Sequence, residues 1–410
     1  VTVDLRDNPD CIDAGLNLTE ACASANAIQG VFENLEPDLP ANAGSFRRVN
    51  ILLRENCVVG IPRFPHCCSL ATTSMADVVV NLTQSAFTQL GDGYGMSQGN
   101  LCFAAGMGVI SGIDWRRGGE EYINQVYVMG GGGPAQPAND GMIYLLTPGG
   151  AGLLHRDSIE FDEQRFPVMV RSQRLVPDSG GAGRQRGGPA TEVVFGPRHD
   201  PMTLSIMGGG AINPPLGVLG GRNANNSYHG HIKTDGSEES QPNGVMLTLG
   251  AGEFVRSIDN GGSGYGDPYL RDPEKVRTDV ELGFVTRRGG ERDYGVVLAK
   301  DGTVDEAKTR RLRAARIKDN VRADFDFGPE REAWEAVFDD ATMGDLNNRL
   351  YALPKSIRQA ARRRIFNHAV PDLPIAGDGT SLATVMADPD AIRARLADVM
   401  DDVFGGSEAD

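Results

Sequence analysis

The sequence predicts an α+β protein: a glycine-rich β lobe with packed helices, followed by a carboxy-terminal helical tail. Three observations carry this reading. Most of the 53 glycines fall between Gly91 and Ile258, where they separate short apolar runs, and turn signals at regular intervals mark β structure. Ahead of that region, two segments space their apolar residues at three and four, as helices do. Beyond Thr303 the composition shifts toward Ala, Arg and Asp with helical spacing, so the expected organisation is a core over 1–302 and a tail over 303–410.

At the start, Val1, Val3 and Leu5 alternate with Thr2 and Asp4, which suits a strand. Asn8-Pro9-Asp10 turns the chain, and Thr19 can cap a helix through Cys22, Ala25, Ile28, Phe32 and Leu35 that Pro37 stops. Residues 46–61 suggest two short strands, and Pro62 and Pro65 break the chain before His66-Cys67-Cys68. Thr72 or Thr73 caps a second helix with Met75, Val78, Val79, Leu82, Ala86 and Leu90 at helical spacing, ended by Gly91.

Within the glycine-rich region the candidate strands are Tyr122–Met129, Pro167–Val176, Thr191–Phe195, Met202–Ile206 and Val245–Leu249. No fixed-period repeat is present, so a propeller or solenoid is not supported. Residues 261–298 read as a glycine turn, a helix capped by Asp272 with Pro273 in its first turn, and a strand over Tyr294–Leu298. In the tail, Thr303 and Glu306 suggest a capping box opening a helix through Leu312 and Ile317. Further helices are expected over Glu330–Phe338, Ser356–His368 and Asp388–Phe404, with a disordered end at GGSEAD.

A net charge of −15 argues against nucleic acid as a partner, because a phosphate footprint needs a basic surface. No run of apolar residues is long enough to span a membrane, and no signal segment opens the chain, so a cytoplasmic location is expected. All six cysteines lie in the first quarter without CxxC spacing, which fits reduced thiols.

So many glycines invite a search for a phosphate loop. No glycine precedes Lys-Ser or Lys-Thr, and GxGxxG fails at 180–188 and at 261–266. PDSGGAGRQRGG at 177–188 still combines backbone amides with arginines, making Gly180, Gly181, Gly183 and Arg184 a candidate carboxylate or phosphate loop. The plainer reading is a tight turn after a strand. His66 beside Cys67 and Cys68 is a second candidate, for metal or for a Cys–His pair, although neighbours on a strand point opposite ways. His229-Gly-His231 with Asp235 has metal-ligand spacing inside what reads as a polar loop with solvated histidines. Arg362-Arg363-Arg364 reads as a solvated or subunit-facing helix side. GxSxG and HExxH are absent.

GGSGYGDPYLRDP, followed by ELGFVT and DYGVVL, resembles the closing signature of the hydantoinase B and oxoprolinase family, whose large subunit is shared by acetone-type carboxylases. PDLPANAGSFRRVNI, RFPVMVRSQRLVPDSGGAGRQRGG and LGVLGGRNA match further blocks in the same order, so the likeness covers roughly residues 1–316.

The resemblance implies part of the B-type subunit of an ATP-dependent amidohydrolase that opens a cyclic amide or imide. A ketone carboxylase or a purely structural subunit is the alternative. It further implies a hetero-oligomer: a hydantoinase A-like subunit binds ATP with Mg, and an amino-terminal half of the B-type subunit holds a divalent metal. This chain starts without Met and looks like the other half, binding no cofactor or metal itself and facing a small-molecule substrate. LLHRDSIEFDEQRFPV departs from the family pattern, so no role passes to His155, and the helical segment after Asp319 reads as a docking element.

Overall fold

The computed structural model describes residues 1–35, 40–69, 74–101, 103–145, 147–150, 155–316, 329–371 and 382–405. Contacts gather the chain into two units, Val1, Ala21–Asn50 and Cys68–Val321 in the first, Thr2–Glu20, Ile51–Cys67 and Arg322–Asp410 in the second. The strands are β1 (Thr2–Asp4), β2 (Asn50–Leu52), β3 (Val109–Asp114), β4 (Glu120–Gln125), β5 (Val168–Leu175), β6 (Thr191–Pro197), β7 (Met202–Met207), β8 (Tyr228–Ile232), β9 (Glu238–Ser240), β10 (Gly244–Leu249) and β11 (Phe254–Ile258). The helices are α1 (Glu20–Phe32), α2 (Ala43–Phe46), α3 (Met75–Ala86), α4 (Ile159–Arg165), α5 (Pro273–Glu281), α6 (Arg287–Tyr294), α7 (Glu306–Arg316), α8 (Pro329–Glu335), α9 (Asp340–Ala352), α10 (Lys355–Ala369), α11 (Leu382–Val385) and α12 (Pro389–Gly405). The α+β expectation holds.

In the first unit, antiparallel sheets ordered β10-β7-β3-β4 and β5-β6-β11-β8-β9 share one core. Ile110, Met202, Leu204, Ile206 and Leu249 come from the first sheet, and Val168, Val193, Phe195 and Val255 from the second. In β7 the buried Met202, Leu204 and Ile206 alternate with Thr203, Ser205 and Met207, the period of a strand with one covered face.

Several local expectations change. α3 does not bury a purely apolar face: Val79 and Val80 are buried, yet so are Asp77, Asn81 and Gln84, while Leu82 is exposed. The polar side chains turn inward because each bonds a neighbouring loop, as described below, and an unbonded buried amide would be costly. Thr72 and Thr73 lie outside the described residues. Of the strand expected at Tyr294–Leu298, Tyr294 ends α6, Gly295 closes that helix in the left-handed region at φ 62, and Leu298 makes an isolated antiparallel bridge with Val304. Thr286 caps α6, accepting from Gly289 N. Val276, Val285, Tyr294 and Val296 then bury together with Ala182. For α7 the cap is Asp305, whose Oδ1 accepts from Lys308 N at 3.0 Å, while Thr303 bonds Asp301. Ile317 and the last five residues fall outside the described set.

In the second unit α8–α12 bury Phe338, Leu346, Ile365, Phe366, Ile392 and Leu396 together, with the Trp334 and Phe338 rings stacked at 4.4 Å. Asp388 caps α12 as expected, accepting from Ala391 N at 3.0 Å. Arg362 is not solvated: it is buried, and its Nε donates to Asp10 Oδ1 at 3.0 Å, an oxygen that also accepts from Arg54 Nη1 at 2.8 Å. A carboxylate shared by two guanidinium groups gives this arginine a reason to leave water. Among the described residues no helix is long and apolar enough to cross a membrane.

Candidate functional site

Glycine-rich segments at 130–133, 179–188 and 261–266 cross backbone to backbone in the first unit. Gly181 N–H donates to Gly262 O at 2.8 Å, Gly262 N–H to Gly188 O at 2.9 Å, and Gly188 N–H to Gly133 O at 3.0 Å. A methyl group at Gly187 would stand 1.8 Å from Gly262 O, and one at Gly132 would stand 1.9 Å from Gly188 O. Contact that close is possible only where no side chain intervenes.

Polar side chains line the crossing. Asn81 Oδ1 accepts from Gly99 N at 2.8 Å, and Gln84 Nε2 donates to Ser97 O at 2.8 Å. Asn100 Nδ2 donates to Leu145 O at 2.7 Å, and Asn260 Nδ2 to Asn225 O at 2.8 Å. Asp77 Oδ1 accepts from Gly149 N at 2.7 Å and Thr147 Oγ1 at 3.1 Å. These bonds fix loops that have no ladder of their own.

The same wall holds perturbed acids. Asp259 is buried, and burial pushes its pKa up to about 7, the Asn260 N–H opposing and the Asp77 charge assisting. Its Oδ1 accepts from Asn260 N at 2.7 Å, and its Oδ2 has no partner among the described residues. Glu33 on the turn after α1 is likewise raised to about 7 by burial, with Gln29 opposing and Asp77 assisting. Tyr144, at φ 63, is raised by burial, and a non-glycine residue there marks a constrained backbone. Carboxyls poised near neutrality can hold or release a proton, a frequent property of functional sites.

His229 lies on β8, not in a solvated loop. It is buried, its Nδ1 is 3.0 Å from Ser257 Oγ, and burial lowers its pKa to about 4. His231 Nε2 is 3.2 Å from Glu253 Oε2. Farther along the chain, Arg271 is 1% exposed, donating from Nη1 to Asp140 Oδ1 at 2.6 Å and from Nη2 to Asp279 Oδ2 at 2.7 Å. Arg186 Nε reaches Asp279 Oδ1 at 3.1 Å, and a cleft of about 390 Å³ opens over this network, lined also by Lys275, Thr278 and Phe284.

Gly180, Gly181, Gly183 and Arg184 sit together on the crossing. Arg184 forks onto Asp92 at 2.7 and 2.6 Å, and the Arg184 and Gln185 amides donate to Gly266 O and Tyr265 O. His66 belongs to the second unit, with Nδ1 3.5 Å from Asp13 Oδ1. His155 is exposed. Among the described residues no three His, Cys, Asp or Glu side chains are grouped to hold a metal. Sequence reasoning missed Asp77, Asp259, Asp140 and Arg271. Asp77, within the apolar spacing of α3, was the one visible signal.

A family model described as hydantoinase B/oxoprolinase matches residues 1–268. The chain is 33% identical to the caprolactamase subunit beta of Pseudomonas jessenii, over 71% of this chain and 51% of that protein. It is 28% identical to the acetophenone carboxylase delta subunit of Aromatoleum aromaticum, over 76% of this chain and 50% of that protein. The crystal structure of the ATP-dependent caprolactamase from Pseudomonas jessenii superposes with a TM-score of 0.65 at 27% identity, covering 76% of this chain and 54% of the other. The chain thus spans about half the length of the curated relatives it matches.

Proposed function

The chain belongs to the hydantoinase B/oxoprolinase family, and from that premise we propose that it is part of the B-type subunit of an ATP-dependent amidohydrolase that opens a cyclic amide or imide. The observation that carries the proposal is the 33% identity to a caprolactamase subunit. A hydantoinase A-like subunit binds ATP with Mg, and the amino-terminal half of the B-type subunit holds a divalent metal, making a cytoplasmic hetero-oligomer.

In the net reaction water adds to the ring carbonyl, the C–N bond breaks, and the nitrogen leaves as an amine with the transferred proton. ATP consumption on the partner drives this. The part assigned to this chain is to shape the cavity and hold protons. The crossing keeps the loop of Gly180, Gly181, Gly183 and Arg184 in one position, and Asp259, raised to about 7 by burial, is poised to take up or release a proton near neutral pH, with Oδ1 accepting from Asn260 N and Oδ2 left for the proton. If the loop or His66 meets substrate, Arg184→Ala and His66→Ala reduce turnover in the reconstituted complex while leaving assembly intact. Unchanged turnover removes both from the site.

A second reading, ATP-dependent ketone carboxylation, is favoured by the 28% identity to the acetophenone carboxylase subunit. A product assay separates the two. Ring opening without bicarbonate supports the hydrolase, and bicarbonate-dependent loss of ketone supports the carboxylase.

A further inference from the structure

The two sheets of the first unit treat their outer faces differently. On the five-stranded sheet the outer side is laced with ion pairs: Arg174–Glu192 at 2.7 Å, Arg256–Glu192 at 3.3 Å and Arg256–Glu238 at 3.2 Å. That is the usual dress of an antiparallel sheet facing water. The four-stranded sheet has none of it. The registers place Met246 beside Ser205 and Val109, and Thr203 beside Ser111 and Ile123, on the side opposite the core residues Ile110, Leu204 and Ile206. Ile123 is 76% exposed, Met246 72% and Ile113 40%. Glu121, opposite Ile113, is the one charge among the outward residues of these strands.

An aliphatic face over small hydroxyl side chains, nearly free of charge in a chain of net charge −15, has the composition of an interface centre. An exposed sheet face suits a protein surface better than a small molecule, which needs a concave pocket. The occupant follows from length. The matched part covers about half of each curated relative, so in those proteins another half of comparable size must bury surface against the half matched here. No comparable uncharged sheet face is offered by the five-stranded sheet, whose outer side carries the ion pairs named above.

We propose that the outer face of β10-β7-β3-β4 is where the other half of the B-type subunit docks, a proposal that rests on the reading of this chain as part of that subunit. The contact is aliphatic, centred on Ile123, Val109 and Met246, and its partner surface is correspondingly apolar.

The test uses the full chain and, as probe, the purified polypeptide from the same source that carries the amino-terminal half of the subunit. Binding is measured by calorimetry and sedimentation for the native chain, for Ile123→Arg/Met246→Arg, and for Leu82→Arg, which charges an exposed leucine on α3. The expected result is a loss of affinity of about 30-fold or more in the double variant, the scale of a central interface residue, with Leu82→Arg binding like the native chain. Both substituted side chains are exposed, so matching thermal melts verify folding. Equal binding by the native chain and the double variant overturns the docking proposal while leaving the proposed function standing. The same holds if Leu82→Arg weakens binding as much as the double variant, or if the double variant only dissolves a self-associated form. Failure of the native chain to bind the probe at all overturns the split-subunit reading and this proposal with it.

Discussion

Ser257 Oγ stands 3.0 Å from His229 Nδ1 across the β11–β8 pairing, where the two residues are in register. The same oxygen accepts from Ala105 N at 3.1 Å. Ser257 thus ties the imidazole ring to the backbone at Ala105. Burial favours the neutral imidazole.

This fixes a pH dependence. Burial lowers the His229 pKa from 6.5 to about 4. The unfolded chain takes up the proton first, so the stability contribution is complete above about pH 6.5 and is lost as pH falls through 4. Urea unfolding of the native chain and of His229→Gln should show the difference between them shrinking on acidification, by on the order of 2 kcal/mol. A constant difference from pH 7 to pH 4 contradicts the assignment.

Asp259 carries the opposite sign. Burial raises its pKa from 3.8 to about 7. The folded state holds the proton longer, so its stability contribution is complete below about pH 4 and is lost as pH rises through 7. Asp259→Asn, which keeps the shape and removes the charge, should match the native chain at pH 4 and exceed it by a few kcal/mol at pH 8. Parallel stability curves exclude a buried protonated acid.

Arg271 tests the charge network. Its two donors hold Asp140 and Asp279, and it is almost wholly buried. Arg271→Met leaves Asp140 without its forked partner, while Asp279 keeps Arg186, and should cost about 3–5 kcal/mol, the usual result of breaking a buried pair. A loss well under 1 kcal/mol by denaturant titration contradicts the network's role.

Two glycines should respond in opposite directions. At Gly187 a methyl group meets Gly262 O at 1.8 Å, whereas at Gly344, within α9, nothing lies within 4 Å. Gly187→Ala should yield little folded protein, and Gly344→Ala should gain about 1 kcal/mol from helix propensity. Thermal melts of the pair decide whether the crossing is as tight as described.

Much of this architecture is legible in the residues. β5, β6, β7 and β10 fall where alternation and turn signals placed them, and Asp272, Asp388 and the prolines after them start their helices as their chemistry dictates. The failures share a cause. α3 buries Asn81 and Gln84 because they bond loops distant in sequence, and Arg362 goes inside because Asp10 waits there. His229 sits in a segment of Asn, Ser and Gly that looks like loop, and pairing with β11 and β9 makes it a strand. Partners remote along the chain leave no local pattern. For the same reason Asp259 and Arg271 do not stand out as site residues.

The central claim is tested most directly by following ATP hydrolysis and opening of a lactam ring together. The mixture holds this chain, the proposed other half of its subunit and the proposed ATP-binding partner, each left out in turn. The account predicts that ADP and the ring-opened amino acid appear in step, without bicarbonate, only when all the polypeptides are present. Ring opening at an undiminished rate without this chain, or turnover that requires bicarbonate and consumes a ketone, would contradict it.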